Sequence, residues 1–251
     1  MAELQFGHDY ASAYDAMYAD KDYEQECDLV EEAFRRFADG PVRSVLDLGA
    51  GTGNHALPLA RRGYEVAGVD LSGEMVEIAR RKAADAGLGV EFSPGDLRDV
   101  RLGRSFDAVL LMFAVLGYQR TIGDVRAALE NARAHLRPGG ALVLDLWYGP
   151  GVLTEPPEDR TRVIATPEGE MTRTVTAELD VPRQLCTVRY ALSGAGRDSE
   201  ETHVMRFFFP AELELFLDAA GFELTALTAV DDLDKPATTE SWTATVVARA
   251  L

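Results

Sequence analysis

The segment Asp47-Leu48-Gly49-Ala50-Gly51-Thr52-Gly53 sets an acid ahead of three glycines at alternate positions. Glycines spaced in this way let the backbone come close to a ligand and adopt turn conformations that a Cβ forbids, and a helix starting behind them turns its free N–H groups toward that ligand. About 20 residues past the glycines stands Asp70, where an acid closing the next strand can accept both hydroxyls of a ribose. Together the loop and the acid describe a nucleoside site. The spacing is Gly-x-Gly-x-Gly, with Asn54 where a dinucleotide fingerprint needs its last glycine, so a pyrophosphate is a poor match.

A second set of residues is aromatic. Tyr10, Tyr14 and Tyr18 recur at a spacing of four, which puts three phenols on one helical face, and Tyr118 closes the stretch Met112-Phe113-Ala114-Val115-Leu116-Gly117-Tyr118. Core packing would account for any one of them. As a set they can roof a pocket, exclude water, attract a cationic amine to their ring faces and present oxygens to a ligand. The four histidines, His8, His55, His135 and His203, fall next to no conspicuous acid pair and read as structural or surface residues. No run of carboxylates has the clustering of a divalent-metal site, so no metal is expected. Cys27 and Cys186 are far apart, without ligand spacing, and read as reduced structural thiols.

The elements that must hold these residues follow a βαβα rhythm. Apolar positions at helical spacing over residues 9–38 predict two helices, stopped at Asp39-Gly40-Pro41. Val42 to Leu48 is a short apolar run suited to a strand buried on both faces. A helix over 55–62, a strand over 64–70, a helix over 72–86 capped by Ser72, and a short strand at 90–92 follow. Residues 106–112 give a fourth strand, 122–136 a helix, and Arg137-Pro138-Gly139-Gly140 a turn into a fifth strand at 141–146. Gly149-Pro150-Gly151 and Pro156-Pro157 then break the rhythm, and two-residue alternation between 161 and 209 predicts an antiparallel insert. A helix over 211–220 and strands at 222–230 and 241–248 return to the main sheet as a terminal hairpin. The fold expected is α/β, a Rossmann-like parallel sheet with helices on both faces, a C-terminal antiparallel hairpin and an antiparallel β insert after strand five. In domain terms this is an N-terminal helical lid (1–40), a core (41–154 and 210–251) and an insert (155–209).

Composition agrees with a globular chain, 47% hydrophobic and 27% charged, with no apolar run long enough for a membrane span and no secretory n-region, so a cytoplasmic location is expected. A net charge of −17 would repel a phosphate backbone over most of the surface, which disfavours nucleic acid as a partner and favours a cationic small molecule.

In the order of these motifs and over nearly its full length, the chain resembles the class I S-adenosylmethionine-dependent methyltransferases. The resemblance implies S-adenosylmethionine as cofactor, with the loop of Gly49, Ala50, Gly51 and Gly53 under its methionine part and Asp47 orienting the amino group. Asp70 with Leu71 would take the ribose. Gly95-Asp96-Leu97 resembles the element that meets the adenine, Asp96 at its exocyclic amine and Leu97 at the ring. Leu111-Met112-Phe113 resembles the floor beside the sulfonium, and Met75 and Tyr18 complete the implied cofactor contacts.

Within that family, His8-Asp9-Tyr10 through Tyr14-Asp15 to Tyr18, the 112–118 stretch and the insert resemble the small-molecule N-methyltransferases of antibiotic and amino-sugar biosynthesis. This implies a small-molecule amine as acceptor, an amino sugar or a lincosamide-type intermediate, with Tyr10, Tyr14, Tyr18 and Tyr118 as pocket and catalytic residues. The subgroup carries a His or an aromatic residue where Tyr118 stands, so the proton acceptor stays open. In-line methyl transfer needs mainly alignment and desolvation, and a neutral amine needs no activating base, whereas a hydroxyl does. The rivals are an O-methyltransferase, favoured by a histidine within reach of the pocket, and a cofactor-binding subunit without catalysis. The insert's free strand edges need cover, which a second copy of the chain could supply.

Overall fold

The computed structural model describes residues 14–166, 169–194 and 197–251. Residues 14–17 form a helical turn, and helix α1 (Tyr23–Phe37) follows, capped by Asp22, which accepts the Gln25 N–H at 2.9 Å. Acids occupy the first turn of α1 and arginines the last, the order the helix dipole favours. Its inner face, Cys27, Val30, Ala33 and Phe34, is buried, and each large side chain so buried contributes about 1.5–3 kcal/mol.

The alternating part runs β1 (Ser44–Leu48), α2 (Ala56–Arg61), β2 (Glu65–Asp70), α3 (Gly73–Asp85), β3 (Glu91–Pro94), β4 (Phe106–Leu111), a 3-10 turn at Val115–Tyr118, α4 (Ile122–Ala134) and β5 (Leu136–Trp147). A short helix α5 (Gly149–Thr154) precedes β6 (Arg160–Thr166), β7 (Gly169–Asp180), β8 (Leu185–Gly194) and β9 (Arg197–Arg206). Helix α6 (Pro210–Ala219) then leads to β10 (Phe222–Ala229), β11 (Asp232–Pro236) and β12 (Thr243–Ala250). One sheet has the order β11-β10-β12-β5-β4-β1-β2-β3, and β6-β7-β8-β9 form a separate antiparallel sheet. The five strands β1 to β5 pair in parallel, and β12, β10 and β11 are added antiparallel. This is the Rossmann-like architecture expected, with its insert and antiparallel C-terminal strands.

Each parallel strand is buried on both faces. Leu46, Leu48, Val109 and Leu111 pack toward Val125 and Leu129 of α4 and Leu213 and Leu217 of α6. Val45, Ala108, Leu110 and Val143 pack toward α1, α2 and α3 through residues such as Phe34, Leu57 and Val76. The chain order reverses between β1 and β4, which leaves a crevice at their carboxyl ends, where α/β sheets hold their ligands.

Several boundaries differ from the sequence reading. Residues 149–154 are a helix because Pro150 is tolerated in a first turn, and Gly151 lies so close to the Ser241 carbonyl that no Cβ would fit. Helix α4 ends at Ala134, and Arg137-Pro138-Gly139-Gly140 is already part of β5, opposite a register shift between Phe106 and Ala108. The terminal hairpin gains an edge strand, β11, whose acids, lysine and proline hide a strand from an apolar pattern while suiting a sheet edge. Cys27 and Cys186 are free and buried. Among the described residues no helix is long and apolar enough to cross a membrane.

Candidate active site

At the end of β1 the chain curls back on β2: the Gly49 and Ala50 N–H groups both donate to the Val69 carbonyl, at 2.7 and 2.9 Å. Gly49 has φ of +89°, and a Cβ there would lie 2.6 Å from Val115, so only glycine fits. Gly51, with φ of +53°, has nothing within 4 Å of where its Cβ would be; that side of the loop is open. Asp70 ties the turn together, its Oδ2 accepting the Gly51 N–H and its Oδ1 the Ser72 N–H, each at 2.8 Å. Each oxygen retains a lone pair for a further donor. Burial raises the Asp70 pKa, opposed by these two N–H groups.

Asp47 is only 1% exposed, and its Oδ2 has no hydrogen-bond partner. Burial pushes its pKa up to about 6, His55 opposing and Asp70 adding to the rise. An orphaned buried carboxylate oxygen is costly and marks a place for a ligand's donor. The His55 Nε2 lies 2.7 Å from Glu26 Oε2, a contact that ties α1 to the loop.

After β4 the backbone turns sharply. Phe113 and Ala114 both have positive φ, 69° and 56°, a conformation costly for any residue with a side chain. It is held by Asp145 of β5, buried, whose Oδ1 accepts the Ala114 N–H at 3.1 Å. Burial raises the pKa of Asp145. This kink starts the 3-10 turn that presents Tyr118, and nothing in the spacing of the sequence pointed to Asp145.

Three rings meet above the crevice: Tyr14 and Tyr18 stand 4.9 Å apart, and each packs edge-on against Phe113, at 6.3 and 4.9 Å. Between the two tyrosines in sequence, Asp15 clamps this segment to the glycine loop. Its Oδ1 accepts from Thr52 Oγ1 at 2.6 Å and Asn54 Nδ2 at 3.1 Å, and its Oδ2 from Lys82 Nζ at 2.9 Å. Burial alone would raise the Asp15 pKa, but the hydrogen bonds from Thr52 and Lys82 hold it below the ordinary carboxylate range. Tyr118 stands close enough to Tyr18 and Asp70 for their charges to reinforce what burial does to its phenol, whose pKa is well above normal.

Residues 45–140 match the family described as a methyltransferase domain. The dTDP-3-amino-3,4,6-trideoxy-alpha-D-glucopyranose N,N-dimethyltransferase of Streptomyces venezuelae is 32% identical over 224 residues, 87% of this chain and 92% of that one. The chain belongs to the S-adenosylmethionine-dependent class I methyltransferases. A second relative of this methyltransferase, the dTDP-3-amino-3,6-dideoxy-alpha-D-glucopyranose N,N-dimethyltransferase of Streptomyces fradiae, is 31% identical, over 88% of the chain and 87% of its own. Among solved structures, the S-adenosylmethionine-bound amino pentose methyltransferase of Micromonospora echinaspora superimposes with a TM-score of 0.75 and 25% identity over 100% of both chains. The cofactor is S-adenosylmethionine, and the chemistry of the cleft fits it: an unpartnered buried carboxylate oxygen for an ammonium, an open glycine loop and an acid at the end of β2.

The methyltransferase gathers some of the remaining sequence-predicted residues and not others. Tyr10 lies outside the described residues. Ala50 and Met112 are buried, Met112 among the apolar residues beneath the crevice. Met75 is also buried, but in a cluster with Met171 and Leu192 on which Tyr14 and Met17 pack, so it supports the tyrosines from below. Leu71 is 68% exposed beside Asp70. Asp96 is brought to the end of β2 by the Gly95 N–H bond to the Asp70 carbonyl, at 2.9 Å, and its carboxylate is gripped by Arg98 at 2.6 Å, which lowers its pKa. Leu97 packs on the core beside it. Arg206 faces Glu212 at 2.8 Å and Gln184 at 2.7 Å, a latch between the insert and α6.

Two residues that the sequence reading did not assign to the site, His203 having been read as structural or surface, come to the crevice from the insert. His203, 2% exposed, has its Nδ1 3.0 Å from the Tyr118 hydroxyl, and Arg173 stacks over Tyr18 and Tyr190, its guanidinium 5.5 and 4.7 Å from their ring centroids. The signal available was the two-residue alternation of β9, which puts Glu201, His203 and Met205 on one face.

Proposed function

We propose that this enzyme methylates the amino group of a small molecule, an amino sugar carried on a nucleotide diphosphate, as in antibiotic biosynthesis. The observation carrying this reading is the wall of Tyr14, Tyr18, Phe113 and Tyr118 over the cofactor crevice, in a chain 32% identical to a dTDP-amino-sugar N,N-dimethyltransferase along most of its length. On the cofactor side, Asp47 would hold the methionine ammonium, the 49–53 loop its backbone, Asp70 the ribose hydroxyls, and the Asp96-Leu97 segment the adenine. Both oxygens of the Asp96 carboxylate already accept from Arg98, its backbone N–H and its guanidinium, so an exocyclic amine would share or displace one of those bonds.

When bound, S-adenosylmethionine supplies a methyl group on a sulfonium, ready for in-line displacement. The chain's own part is to align and dry the acceptor. Tyr14, Tyr18 and Phe113 exclude water and offer ring faces to a cationic amine, while residues 14–37, fastened through Asp15, close over the loop as a lid. Beyond the tyrosines lies a cavity of about 530 Å³ whose lining includes Trp147, Trp242, Arg160, Arg162 and Arg173. Indole faces suit a nucleobase and guanidinium groups suit a diphosphate, against a chain of net charge −17.

Incubation with labelled cofactor and dTDP-3-amino-3,4,6-trideoxy-α-D-glucopyranose, followed by mass spectrometry, tests the reading; one or two added methyl groups on nitrogen are expected. A second reading, O-methylation of a small hydroxylated metabolite, is favoured by one observation, the histidine behind Tyr118. Label appearing only on hydroxylated acceptors would select it.

A further inference from the structure

Strand β9 packs against the 3-10 turn, where a Cβ on Gly117 would lie 2.9 Å from Met205 and 3.1 Å from the Arg206 carbonyl. This close approach lays Tyr118 over His203, with ring centroids 5.9 Å apart and hydroxyl to Nδ1 at 3.0 Å. On the far side of the imidazole, Nε2 lies 3.2 Å from Glu201 Oε2. The side chains of His203 and Glu201 are 3% and 13% exposed, so the imidazole is shielded from bulk water while Glu201 keeps a small edge on solvent. The carboxylate charge beside Nε2, in ion-pair range though outside hydrogen-bond geometry, favours the tautomer with the hydrogen there, which leaves the Nδ1 lone pair to accept the Tyr118 O–H.

We propose that Tyr118, His203 and Glu201 form a proton path leading away from the acceptor amine, with Tyr118 touching the acceptor and His203 and Glu201 acting through it as positioning residues. This rests on the N-methylation reading. An amine that has gained a methyl group carries one proton in excess, and a second methylation needs its lone pair back. Tyr118 does not act as a phenolate, because burial, with Tyr190, Tyr18, Glu201 and Asp70 adding to it, favours the neutral phenol. It passes a proton instead. Its oxygen takes the ammonium proton as its own hydrogen moves to His203 Nδ1, so the phenol stays neutral, the amine becomes neutral and the imidazole becomes imidazolium. Glu201 stabilises that cation until the proton leaves for solvent.

Among the described residues, the other groups facing this path include Tyr190, edge-on to the imidazole at 5.1 Å, Arg173 above Tyr190, Asp70 near Tyr118, and Tyr14 and Tyr18 from the N-terminal segment. Arg173 repels a cation, so the carboxylate of Glu201 is what makes the imidazolium tolerable.

The test compares the wild type with Tyr118→Phe, His203→Asn, Glu201→Gln and the double variant Y118F/H203N on dTDP-3-amino-3,4,6-trideoxy-α-D-glucopyranose. Asparagine keeps a hydrogen-bonding atom where Nδ1 stands but cannot carry the proton. Each of Y118F and H203N should lower kcat on the order of 10²-fold with cofactor affinity retained, and the double variant should lose no more than the worse single. The acid limb of the pH–rate profile should move to higher pH in H203N, and E201Q should give a smaller loss in the same direction. A wild-type profile in H203N, or losses that add in the double variant, overturns the path. Nitrogen-15 spectra of imidazole-labelled protein, read without any acceptor, should show His203 with its hydrogen on Nε2 and a Nδ1 shift altered in Y118F. Hydrogen on Nδ1 instead overturns the proposal. If the wild type does not methylate the sugar, the acceptor reading fails by itself while the spectra still decide the path.

Discussion

The two sides of the crevice are built differently. The proposed cofactor side is nearly continuous chain: Asp47, the loop to Gly53, and Asp70 at the end of the adjacent strand, joined by hydrogen bonds of 2.7 to 2.9 Å that backbone N–H groups of the loop donate to the Val69 carbonyl and the Asp70 carboxylate. The proposed acceptor side is assembled from four distant segments: residues 14–18, 113–118, Arg173 on β7, and Glu201 with His203 on β9. It is held by ring packing and single side-chain bonds. On that proposal, the first kind of site would fix a ligand common to a whole family, whereas the second would change its occupant through substitutions in the insert.

The contrast can be broken most forcefully on the cofactor side. Asp70→Ala should weaken cofactor binding at least about 100-fold. It removes the proposed ribose acceptor and two N–H anchors of the loop, and each hydrogen bond to a charge is worth about 1.5–3 kcal/mol. Calorimetry with S-adenosylhomocysteine checks this, and an unchanged dissociation constant would remove Asp70 from the ribose site.

At the hinge between the sides, Asp145→Ala leaves the Ala114 N–H buried without its acceptor, at a cost of about 1–3 kcal/mol, while Asp145→Asn keeps an oxygen there. The alanine variant should melt roughly 2–10 °C lower and lose turnover through a displaced Tyr118, and the asparagine variant should keep most of both. Equal damage in the two would show that charge, not the bond to the kink, is what Asp145 provides.

On the acceptor side, Arg173→Ala should raise KM for a nucleotide-linked amino sugar about tenfold, the size of one charge-assisted bond to a phosphate, with cofactor affinity unchanged. Steady-state kinetics with the sugar as varied substrate reads this, and an unaltered KM would place the diphosphate elsewhere.

The smallest effect concerns the clasp between the sides. Because hydrogen bonds hold the Asp15 pKa below its unfolded value, its contribution is complete above that value and disappears as pH falls through the lower, folded one. Asp15 is 43% exposed, so solvent screens the effect and the change in cofactor affinity should be modest and confined to acid. Asp15→Asn should abolish that acid dependence; its persistence would assign the lid's pH response to another group.

What the amino-acid sequence determined alone was whatever depends on short-range order. The apolar runs and their breaks placed the parallel strands and both helix layers, because a strand buried on both faces and a helix with one buried stripe have different periods. The glycine loop and its closure on Asp70 were legible because their conformation is set within one βαβ unit. Only the tertiary structure decided that Asp145 holds the Phe113-Ala114 kink, that Asp15 fastens the segment of Tyr14 and Tyr18 through Thr52 and Lys82, and that His203 stands behind Tyr118. Those pairs are 31 to 85 residues apart in sequence and meet through single side chains. Periodicity can say which face of a strand a residue occupies, but what lies opposite that face is fixed by how the two sheets are docked.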